Sequence, residues 1–468
     1  MQFRQFYLGC LSHASYYIGS DGEAAVIDPQ RDVQQYLDEA ASRGQKIKYV
    51  IETHSHADFV SGHLELAKRT GAQIVYGERA NTKFETLKVK DGDSLNVGDV
   101  RLTFRETPGH TPEGITVIAE DRVGAREGAS VPVSALKVFT GDTLFIGDVG
   151  RPDLVGSVGY TSEQMASMLY DSIHDKILPL PDTAEIYPAH GAGSLCGKSL
   201  SKETWSTLGE QRKFNYALQP MSREEFVKIV AEGQSEVPQY FPKSAARNLE
   251  GSAPLQDLPD PREMSTDEIL GFDGILLDVR KNFEYGAGHV RNSINIGLGG
   301  QFASWAGTLI PIGTPLAIVA TMKEQVDEAV MRLARVGHET VTGYILFSDY
   351  DDDQSAIKQM TVNETNDFVT SGRNVQFLDV RRIGEFDSGH AAGAVSRSLS
   401  ELDKNLDDLD PAAPTYVICQ GGYRSSIGCG ILENAGFNEL RNVTGGTAAW
   451  IEAGLPLETA AAASSGGK

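Results

Sequence analysis

Short apolar, β-branched runs alternate with polar turns and helical segments over roughly the first 200 residues of the chain. Asp58–Thr70 has the apolar spacing of a helix, with Asp58 at its N-terminal end and Gly71 directly after it. The predicted strands are Ala24–Asp28, Lys48–Ile51, Gln73–Tyr76, Val100–Phe104, Ile115–Ile118 and Leu136–Thr140. Such a mixture of short strands and helices predicts an α/β sandwich.

The next segment, residues 205–260, is richer in Gln, Pro, Lys and Glu and has a helical stretch at Ser222–Ala231. We interpret it as the end of the first domain running into a linker, so that residues 1–250 hold the first domain together with its linker.

The second half of the chain contains an internal repeat. Leu277–His289 (LDVRKNFEYGAGH) and Leu378–His390 (LDVRRIGEFDSGH) are identical at seven of thirteen positions, at a constant offset of 101. Two copies indicate a duplicated domain and not a solenoid. Each copy alternates strands with helices, which predicts a doubly wound parallel sheet in residues 251–353 and again in residues 354–468. Three domains also agree with the chain length of 468 residues.

The net charge of −22 argues against nucleic-acid and anionic-membrane partners, since polyanions bind to basic surfaces. Four cysteines are too few for a disulfide framework. No stretch approaches the roughly 20 apolar residues of a membrane helix, and the N-terminus lacks an apolar or amphipathic leader. We therefore expect a cytoplasmic protein.

Metal-type side chains follow the apolar run Tyr49–Ile51, at the point where a strand should end. His54, His56 and Asp58 lie together in the sequence THSHADF. Imidazole nitrogens and a carboxylate on one loop suit a first-row divalent ion. The next residue is Phe59, where a two-metal site would need another imidazole.

Three more candidates lie in Gly- or Pro-containing loops that follow strands: His110 in TPGHTPEG, Asp142 in TGDT and His190 in YPAHG. Tight turns of this kind hold a side chain in place. In this order the motifs indicate a metal centre. Histidines outside such loops are expected to be ordinary surface or core residues: His13, His63, His174 and His338.

These motifs, in this order and spacing, resemble the metallo-β-lactamase fold, an αββα sandwich. The run Phe145–Leu154 (FIGDVGRPDL) is similar to the persulfide dioxygenase branch of that superfamily. Hydrolytic relatives such as glyoxalase II have HxHxDH and bind two metals, whereas Phe59 replaces the last His here. A second metal would then keep only Asp58, His190 and a shared Asp142.

The resemblance to persulfide dioxygenases implies one Fe(II) per chain, held by His54, His110 and Asp142. Such a facial triad leaves positions open for the activation of O2 beside a bound thiolate. The remaining metal-type side chains are His56, Asp58 and His190. They would lie around the three ligands and orient them or a water molecule, or they would bind metal themselves. The counterpart of His56 is a metal ligand in hydrolytic relatives.

Further side chains near these loops have two interpretations each. Arg151 would grip a carboxylate or phosphate of the persulfide carrier, because a guanidinium forks onto such groups, or would form a surface ion pair. Thr111 and Tyr187 would line the substrate pocket or pack in the core. Cys196, six residues after His190, would carry sulfur or be a small buried residue.

Cys419 lies in Tyr416–Ser425 (YVICQGGYRS), where a strand leads into a Gly-rich turn and then a helix. The amides of the turn and the helix N-terminus favour an anion, and Arg424 adds a full positive charge. This setting stabilises a thiolate or a persulfide on Cys419. Cys429, further along the helix, is expected to be a small buried residue.

The C-terminal domain resembles the rhodanese family, which moves sulfane sulfur through a cysteine persulfide. The motifs that carry this resemblance are Leu378–Arg381, Gly389-His390, the CQGGYRS loop and Val443–Pro456. They imply a catalytic role for Cys419, assisted by Arg424.

The earlier copy of the repeat lacks the thiol. Alignment of the copies through Gly337 and Gly436 places Ala320 opposite Cys419. Its loop, Ala320–Gln325, has neither a Cys nor a Gly run, so we expect this domain to be catalytically inactive.

The order of these motifs resembles bacterial fusions of a persulfide dioxygenase with rhodanese domains. The resemblance implies oxidation of a low-molecular-weight persulfide, RSSH, by O2 and water to sulfite and RSH. Cys419 would then transfer sulfane sulfur to sulfite, giving thiosulfate, in sulfide detoxification. The carrier thiol would be glutathione, coenzyme A or a similar molecule, and relatives suggest a homo-oligomer. The alternatives are a zinc thioester hydrolase fused to a sulfurtransferase, and a non-enzymatic sulfur sensor.

Overall fold

The computed structural model describes residues 1–122, 136–154, 159–234 and 236–459. These residues form two compact units. The first comprises Met1–Leu258 with Ala334–Gly337, and the second comprises Pro259–Leu333 with the described residues from His338 onward. Within the described ranges, every helix is too short or too polar to cross a membrane.

The described residues of the first unit form two mixed β-sheets, ordered β1-β2-β3-β4-β5-β6 and β12-β11-β10-β9-β8-β7. The strands are β1 (Gln2–Leu8), β2 (His13–Ser20), β3 (Glu23–Ile27), β4 (Lys46–Ile51), β5 (Gln73–Gly77), β6 (Leu87–Val89), β7 (Ser94–Val97), β8 (Val100–Glu106), β9 (Ile115–Asp121), β10 (Lys137–Gly141), β11 (Glu185–Pro188) and β12 (Ser206–Thr207). The helices are α1 (Gln34–Ser42), α2 (His63–Thr70), α3 (Ser162–Asp171), α4 (Leu208–Phe214), α5 (Arg223–Ala231) and α6 (Phe241–Glu250).

The two sheets face each other across an apolar core, because alternate residues of each strand point to the same side. The side chains that meet there include Ile18, Ile27, Ile51, Val75, Leu102, Phe104, Val117 and Phe139. The outer faces carry separate apolar clusters with helix residues, among them Tyr36 and Leu66 on one sheet and Leu169 and Phe226 on the other. The expected αββα sandwich is confirmed.

The helix predicted over Asp58–Thr70 is shorter in the structure, because α2 begins at His63. The preceding residues form an irregular turn whose backbone is bonded to one buried side chain. The Asn248 amide group donates to the carbonyls of His56 and Phe59 and accepts from the Ser61 amide, each at 2.8 Å. The prediction that Asp58 begins the helix is wrong, since this turn is organised around Asn248, which lies 192 positions from His56 in sequence.

The helices of residues 205–258 pack onto the sandwich instead of forming an open linker. The helix predicted over Ser222–Ala231 is confirmed as α5, with Ser222 as its N-cap. α5 buries Phe226 in the helical layer of the second sheet, and α6 buries Asn248 beside the loop after β4. The continuous N-terminal part of the first unit accordingly extends to Leu258, and the assignment of residues 1–250 to one domain stays a prediction.

From residue 259 onward, the described strands form two parallel sheets, ordered β13-β17-β16-β14-β15 and β18-β23-β22-β19-β21, and a short antiparallel pair β20-β24. The strands are β13 (Arg262–Glu263), β14 (Ile275–Asp278), β15 (Ile294–Asn295), β16 (Leu316–Ala320), β17 (Val341–Leu346), β18 (Lys358–Met360), β19 (Gln376–Asp379), β20 (His390–Ala391), β21 (Val395–Ser396), β22 (Thr415–Ile418), β23 (Leu440–Val443) and β24 (Leu457–Glu458). The helices are α7 (Thr266–Leu270), α8 (Asn282–Ala287), α9 (Phe302–Leu309), α10 (Lys323–Arg335), α11 (Val362–Val369), α12 (Ile383–Ser388), α13 (Tyr423–Asn434) and α14 (Gly446–Glu452).

The parallel sheets match strand by strand, as the internal repeat predicts. The Arg of each LDVR motif bonds the Asp two residues earlier, at 2.6 Å for Arg280 and 2.7 Å for Arg381. One apolar cluster contains buried residues of both sheets, including Leu277 and Val417, which explains why both belong to one compact unit. The common strand order supports the proposal that residues 251–353 and 354–468 are two copies of one domain.

Candidate metal centre and thiol loop

Loops after β4, β8 and β10 bring His54, His110 and Asp142 to one point. Asp142 Oδ2 lies 3.8 Å from His54 Nε2 and 3.4 Å from His110 Nε2. All three side chains are buried, and a potential ligand atom of each lies within 4.8 Å of the others. The structure therefore assembles the three predicted ligands as one group.

The hydrogen bonds of the two imidazoles leave their Nε2 atoms for a metal. His54 Nδ1 donates to Thr53 Oγ1 (3.0 Å), whose own proton goes to Asp28 (2.9 Å). His110 Nδ1 donates to the carbonyl of Arg151 (2.9 Å). Both Nε2 atoms are buried and lack a hydrogen-bond partner in the described part of the chain. Because buried unpaired nitrogens are costly and these face a carboxylate, the donor set fits a divalent metal ion.

The protonation state of this group also suits a cation. Burial alone would raise the pKa of Asp142, but His190 and His54 lower it well below its usual value. Burial lowers the pKa of His54 and of His110, which keeps both imidazoles neutral. A metal ion binds an ionised carboxylate and neutral imidazoles, so the group needs no loss of protons on binding.

A second group of potential ligands lies beside the first. His56, Asp58 and His190 are buried and each offers an atom within 4.8 Å of the others. His190 joins the two groups, with Nδ1 2.7 Å from Asp142 Oδ1 and Nε2 2.9 Å from Asp58 Oδ2. Burial alone lowers the pKa of His190, but the two carboxylates raise it well above its usual value. We expected a second metal ion to find only Asp58, His190 and a shared Asp142 as ligands. The structure adds His56 to this set of potential ligands.

His13 was expected to be an ordinary surface or core residue, and the structure buries it beside the metal-type side chains. Its ring is fully buried and lies 4.1 Å from the ring of Phe59, 5.4 Å from His190 and 5.5 Å from His56. Neither ring nitrogen has a hydrogen-bond partner among the described residues. His13 begins β2 and does not lie in a Gly- or Pro-containing loop, so no sequence pattern indicated that it lies near the metal-type residues. A β-bridge between the backbones of His13 and His190 places it there.

Asn248→Ala is expected to lower the free energy of unfolding of the first unit by about 3 kcal/mol, because it leaves three buried backbone groups of the metal-binding loop unpaired. Metal content should fall as well, since this loop carries His54. Urea denaturation and metal analysis measure the two effects. The exposed Asn81 provides the control, as Asn81→Ala should change neither. A wild-type unfolding midpoint in the Asn248 variant would contradict this role.

Arg151 forms an ion pair, but its side chain is buried, so the expectation that this pair lies at the surface is wrong. Its guanidinium donates to both carboxylate oxygens of Asp153, at 2.6 and 2.8 Å, and to the carbonyl of Leu195 at 3.1 Å. A Cβ at the preceding Gly150 would meet the Asp142 carbonyl at 2.0 Å, so only glycine allows this turn to pass so close. The ion pair stabilises the turn that contains the Arg151 carbonyl, which orients the His110 ring. Contact between Arg151 and the substrate stays a prediction.

Cys196 lies close to the metal-type residues. It forms a third group of potential ligand atoms with Asp142 and His190, again within 4.8 Å. Burial raises the pKa of its thiol well above the usual value, and the carboxylates of Asp58 and Asp142 add to this effect. Cys196 is therefore the small buried residue of one alternative, and a role in carrying sulfur stays a prediction.

The two predicted pocket residues differ in their contacts. Thr111 Oγ1 is buried without a hydrogen-bond partner in the described ranges, which fits a position at a ligand pocket. Tyr187 packs in the core between the sheets, with its ring 4.9 Å from that of Phe3, and its hydroxyl bonds Glu185 at 2.9 Å. Core packing accounts for Tyr187, and substrate contact by either residue stays a prediction.

The Cys419 loop has the predicted strand–turn–helix form, between β22 and α13. The sulfur accepts a hydrogen bond from the Gly422 amide at 3.1 Å and lies 3.3 Å from Ser425 Oγ. Gly422 has a φ of 97°, in the left-handed region that favours glycine, and this conformation turns its amide toward the sulfur. These donors stabilise a thiolate or persulfide anion on Cys419.

Arg424, expected to add a full positive charge to the loop, is paired with a carboxylate in the structure. Its two terminal nitrogens donate to both carboxylate oxygens of Glu385, at 2.6 and 2.7 Å. This carboxylate, on α12, offsets the guanidinium. Glu385 lies 39 positions earlier in the chain, and no local motif connects the two. A catalytic role for Arg424 stays a prediction.

Residues of the preceding parallel sheet contact the thiol loop. Asn282 donates to the carbonyl of Gly422 at 3.3 Å, and the Tyr423 hydroxyl donates to the carbonyl of Gly297 at 2.8 Å. Ala320 is buried at the end of β16, as the alignment with Cys419 predicts. The copy without a thiol thus helps to hold the loop that has one.

Known proteins are similar to parts of this chain. Residues 8–125 match the metallo-beta-lactamase superfamily, and residues 361–453 match the rhodanese-like domain. "Persulfide dioxygenase ETHE1, mitochondrial" of Bos taurus is 33% identical over 233 residues, which cover 48% of this chain and 78% of that protein. "Hydroxyacylglutathione hydrolase cytoplasmic" of Arabidopsis thaliana is 32% identical over 190 residues, which cover 40% of this chain and 66% of that protein.

A solved structure, a metallo-beta-lactamase from Staphylococcus aureus, is 32% identical with a TM-score of 0.66, and the match covers 74% of this chain and 98% of that chain. The metallo-β-lactamase sandwich and the C-terminal rhodanese-like domain expected from the sequence are both confirmed.

Proposed function

The chain belongs to the persulfide dioxygenase family of the metallo-β-lactamase superfamily, and from this we propose that it is a non-haem iron persulfide dioxygenase coupled to a sulfurtransferase. The observation that carries the proposal is the pair of buried, unpartnered Nε2 atoms of His54 and His110 that face the Asp142 carboxylate. Two imidazoles and one carboxylate are the ligand set of a facial triad for Fe(II).

The proposed substrate is a thiol persulfide, RSSH, oxidised with O2 and water to sulfite and RSH. One Fe(II) per chain, held by the triad, would supply positions at which O2 and the persulfide sulfur meet. Thr53 orients the ring of His54, and the Arg151 carbonyl orients that of His110. The proton on His190 Nδ1 holds the Asp142 carboxylate in place. Burial of these side chains excludes bulk water from the reacting sulfur.

At the second site, the Cys419 thiolate attacks the outer sulfur of RSSH, the S–S bond breaks, and RSH leaves with the proton. Sulfite then attacks the outer sulfur of the Cys419 persulfide, and the electron pair of the broken bond returns to Cys419 as thiosulfate departs. The Gly422 amide and the Ser425 hydroxyl stabilise the thiolate that leaves. The carrier is glutathione, coenzyme A or a similar thiol, the chain forms a homo-oligomer, and the overall role is sulfide detoxification.

An oxygen-electrode assay on iron-loaded protein tests this proposal. Glutathione persulfide and coenzyme A persulfide serve as substrates, and sulfite is measured in parallel. We expect O2 consumption that matches sulfite formation with at least one carrier, and no hydrolysis of a glutathione thioester. Iron-loaded protein that consumes no O2 with either persulfide would overturn the proposal.

A zinc thioester hydrolase is the second candidate, favoured by the presence of the second ligand group His56, Asp58 and His190. Phe59 argues against it, because its ring fills the space 4.5 Å from the ring of His56 where another ligand would lie. Metal analysis separates the two functions, since the hydrolase requires two zinc ions and the dioxygenase one iron.

Phe59→His is expected to raise zinc binding from about one to about two ions per chain, because the new imidazole joins three existing ligand groups. Zinc titration followed by metal analysis measures the change. Phe59→Leu, which keeps the position apolar, is the control and should bind as the wild type does. Equal zinc binding by wild type and Phe59→His would show that Phe59 does not decide the metal number.

A further inference from the structure

The thiol loop Cys419–Ser425 contains one cationic side chain, Arg424. Its guanidinium pairs side by side with the carboxylate of Glu385, and the two side chains are 14% and 36% exposed. Burial alone would raise the pKa of Glu385, but the guanidinium lowers it, so the carboxylate is ionised at neutral pH. The Glu385 carboxylate therefore offsets the positive charge of Arg424, the cationic residue closest in sequence to Cys419.

The earlier copy of the repeat shows that this pairing is separate from helix capping. Glu284 occupies the position equivalent to Glu385, and each accepts a hydrogen bond from the amide that begins its own helix, at 3.0 and 3.3 Å. In the earlier copy, the position opposite Arg424 is Gln325, which bonds within its own loop. The copy that contains Cys419 pairs its Glu with an Arg, whereas the earlier copy has Gln325 at the position of that Arg.

We propose that Glu385 sets the charge selectivity of the thiol site. By offsetting Arg424, it weakens the attraction of the site for sulfite and thiosulfate, which carry two negative charges. The acceptor is then held less tightly, and the product leaves readily. This inference rests on the proposed transfer of sulfur from the Cys419 persulfide to sulfite, in which one S–S bond breaks, another forms, and the electron pair returns to the Cys419 sulfur.

Glu385→Gln should lower the KM for sulfite roughly five-fold, because the variant removes one negative charge and leaves Arg424 unopposed beside a partly solvated site. Inhibition by thiosulfate should tighten in parallel. Transfer to 2-mercaptoethanol, which attacks as a thiolate with a single negative charge, should change less than transfer to sulfite. The amide oxygen of Gln still accepts the helix-capping hydrogen bond, so α12 should remain folded. Glu284→Gln is the matched control and should leave the KM for sulfite unchanged.

A double-mutant cycle shows whether the net charge of the Arg424–Glu385 pair sets the KM for sulfite. Arg424→Gln should raise this KM, because the Glu385 carboxylate is then unopposed. Adding Glu385→Gln to Arg424→Gln should return the KM toward the wild-type value, because the pair is then neutral again. An unchanged KM in the single Glu385 variant would overturn the inference. A higher KM in that variant would overturn it too, since it would show that the carboxylate orients Arg424 for the substrate.

The alkylation of Cys419 provides a test that does not depend on sulfur transfer. Iodoacetate carries a negative charge and iodoacetamide does not, so the ratio of their rates reports the charge at the thiol and cancels its intrinsic reactivity. Peptide mass spectrometry should show a roughly five-fold higher ratio in Glu385→Gln, with no change in Glu284→Gln. Absence of sulfur transfer in the wild type would refute the proposed function, whereas an unchanged ratio would refute the role of Glu385.

Discussion

Asp142→Ala should remove the metal ion and abolish O2 uptake. Asp142 is the carboxylate of the predicted triad, and its Oδ2 lies 3.4 and 3.8 Å from the two imidazole nitrogens that face it. Its loss would leave two neutral imidazoles as the remaining ligands and would deprive His190 of an acceptor at 2.7 Å. We expect metal affinity to fall at least roughly 100-fold, since ligand charge and orientation are lost together.

Metal analysis of anaerobically purified protein measures this effect. The wild type should contain about one iron per chain, and Asp142→Ala and His110→Ala should contain almost none. His174→Ala is the control, because that imidazole stacks on Tyr170 and bonds its carbonyl away from the triad. Full iron content in Asp142→Ala would overturn the ligand assignment, and two tightly bound metals in the wild type would overturn the mononuclear site.

Cys419→Ser should separate the two activities of the chain. A serine hydroxyl cannot form a persulfide, so transfer of sulfur to sulfite should stop. O2 uptake should continue, because the triad lies in the other compact unit. The product should therefore change from thiosulfate to sulfite when RSSH and O2 are supplied.

Chromatographic measurement of sulfite and thiosulfate, beside O2 uptake, checks this result. Cys429→Ala serves as the control, because burial raises the pKa of the Cys429 thiol far above its usual value and keeps it protonated. That variant should still form thiosulfate. Thiosulfate formation at the wild-type rate by Cys419→Ser would contradict the role of Cys419, as would loss of O2 uptake in a folded, iron-loaded variant.

The sites missed by sequence analysis have a common feature. Asn248 and Glu385 each bond a loop that lies far from them in sequence: Asn248 is 192 positions from His56, and Glu385 is 39 from Arg424. His13 lies beside His190 through a backbone bridge. None of the three lies in a loop of metal-type or Gly-rich composition. Sequence patterns record which residues a segment buries, whereas these contacts depend on which segments meet.

The sequence by itself determined the elements and the chemistry of this protein. Short apolar, β-branched runs predicted six strands of the sandwich, because such residues favour extended backbone. Strand-ending loops with His, Asp or Cys gave six metal-type candidates and Cys419, and the resemblance to persulfide dioxygenases selected three of the six as predicted ligands. The repeat identified the two parallel sheets. Each of these signals is local, or repeats at a constant offset.

The tertiary structure alone decided how these groups are arranged. It began α2 at His63, placed His13 behind Phe59, brought His56 and Cys196 beside the central ligands, and paired Arg424 with Glu385. A buried polar group must find a partner, and the nearest suitable partner is set by how the sheets and helices pack. The protonation states and charges of the side chains at both sites depend on that packing. A sequence pattern therefore does not predict them.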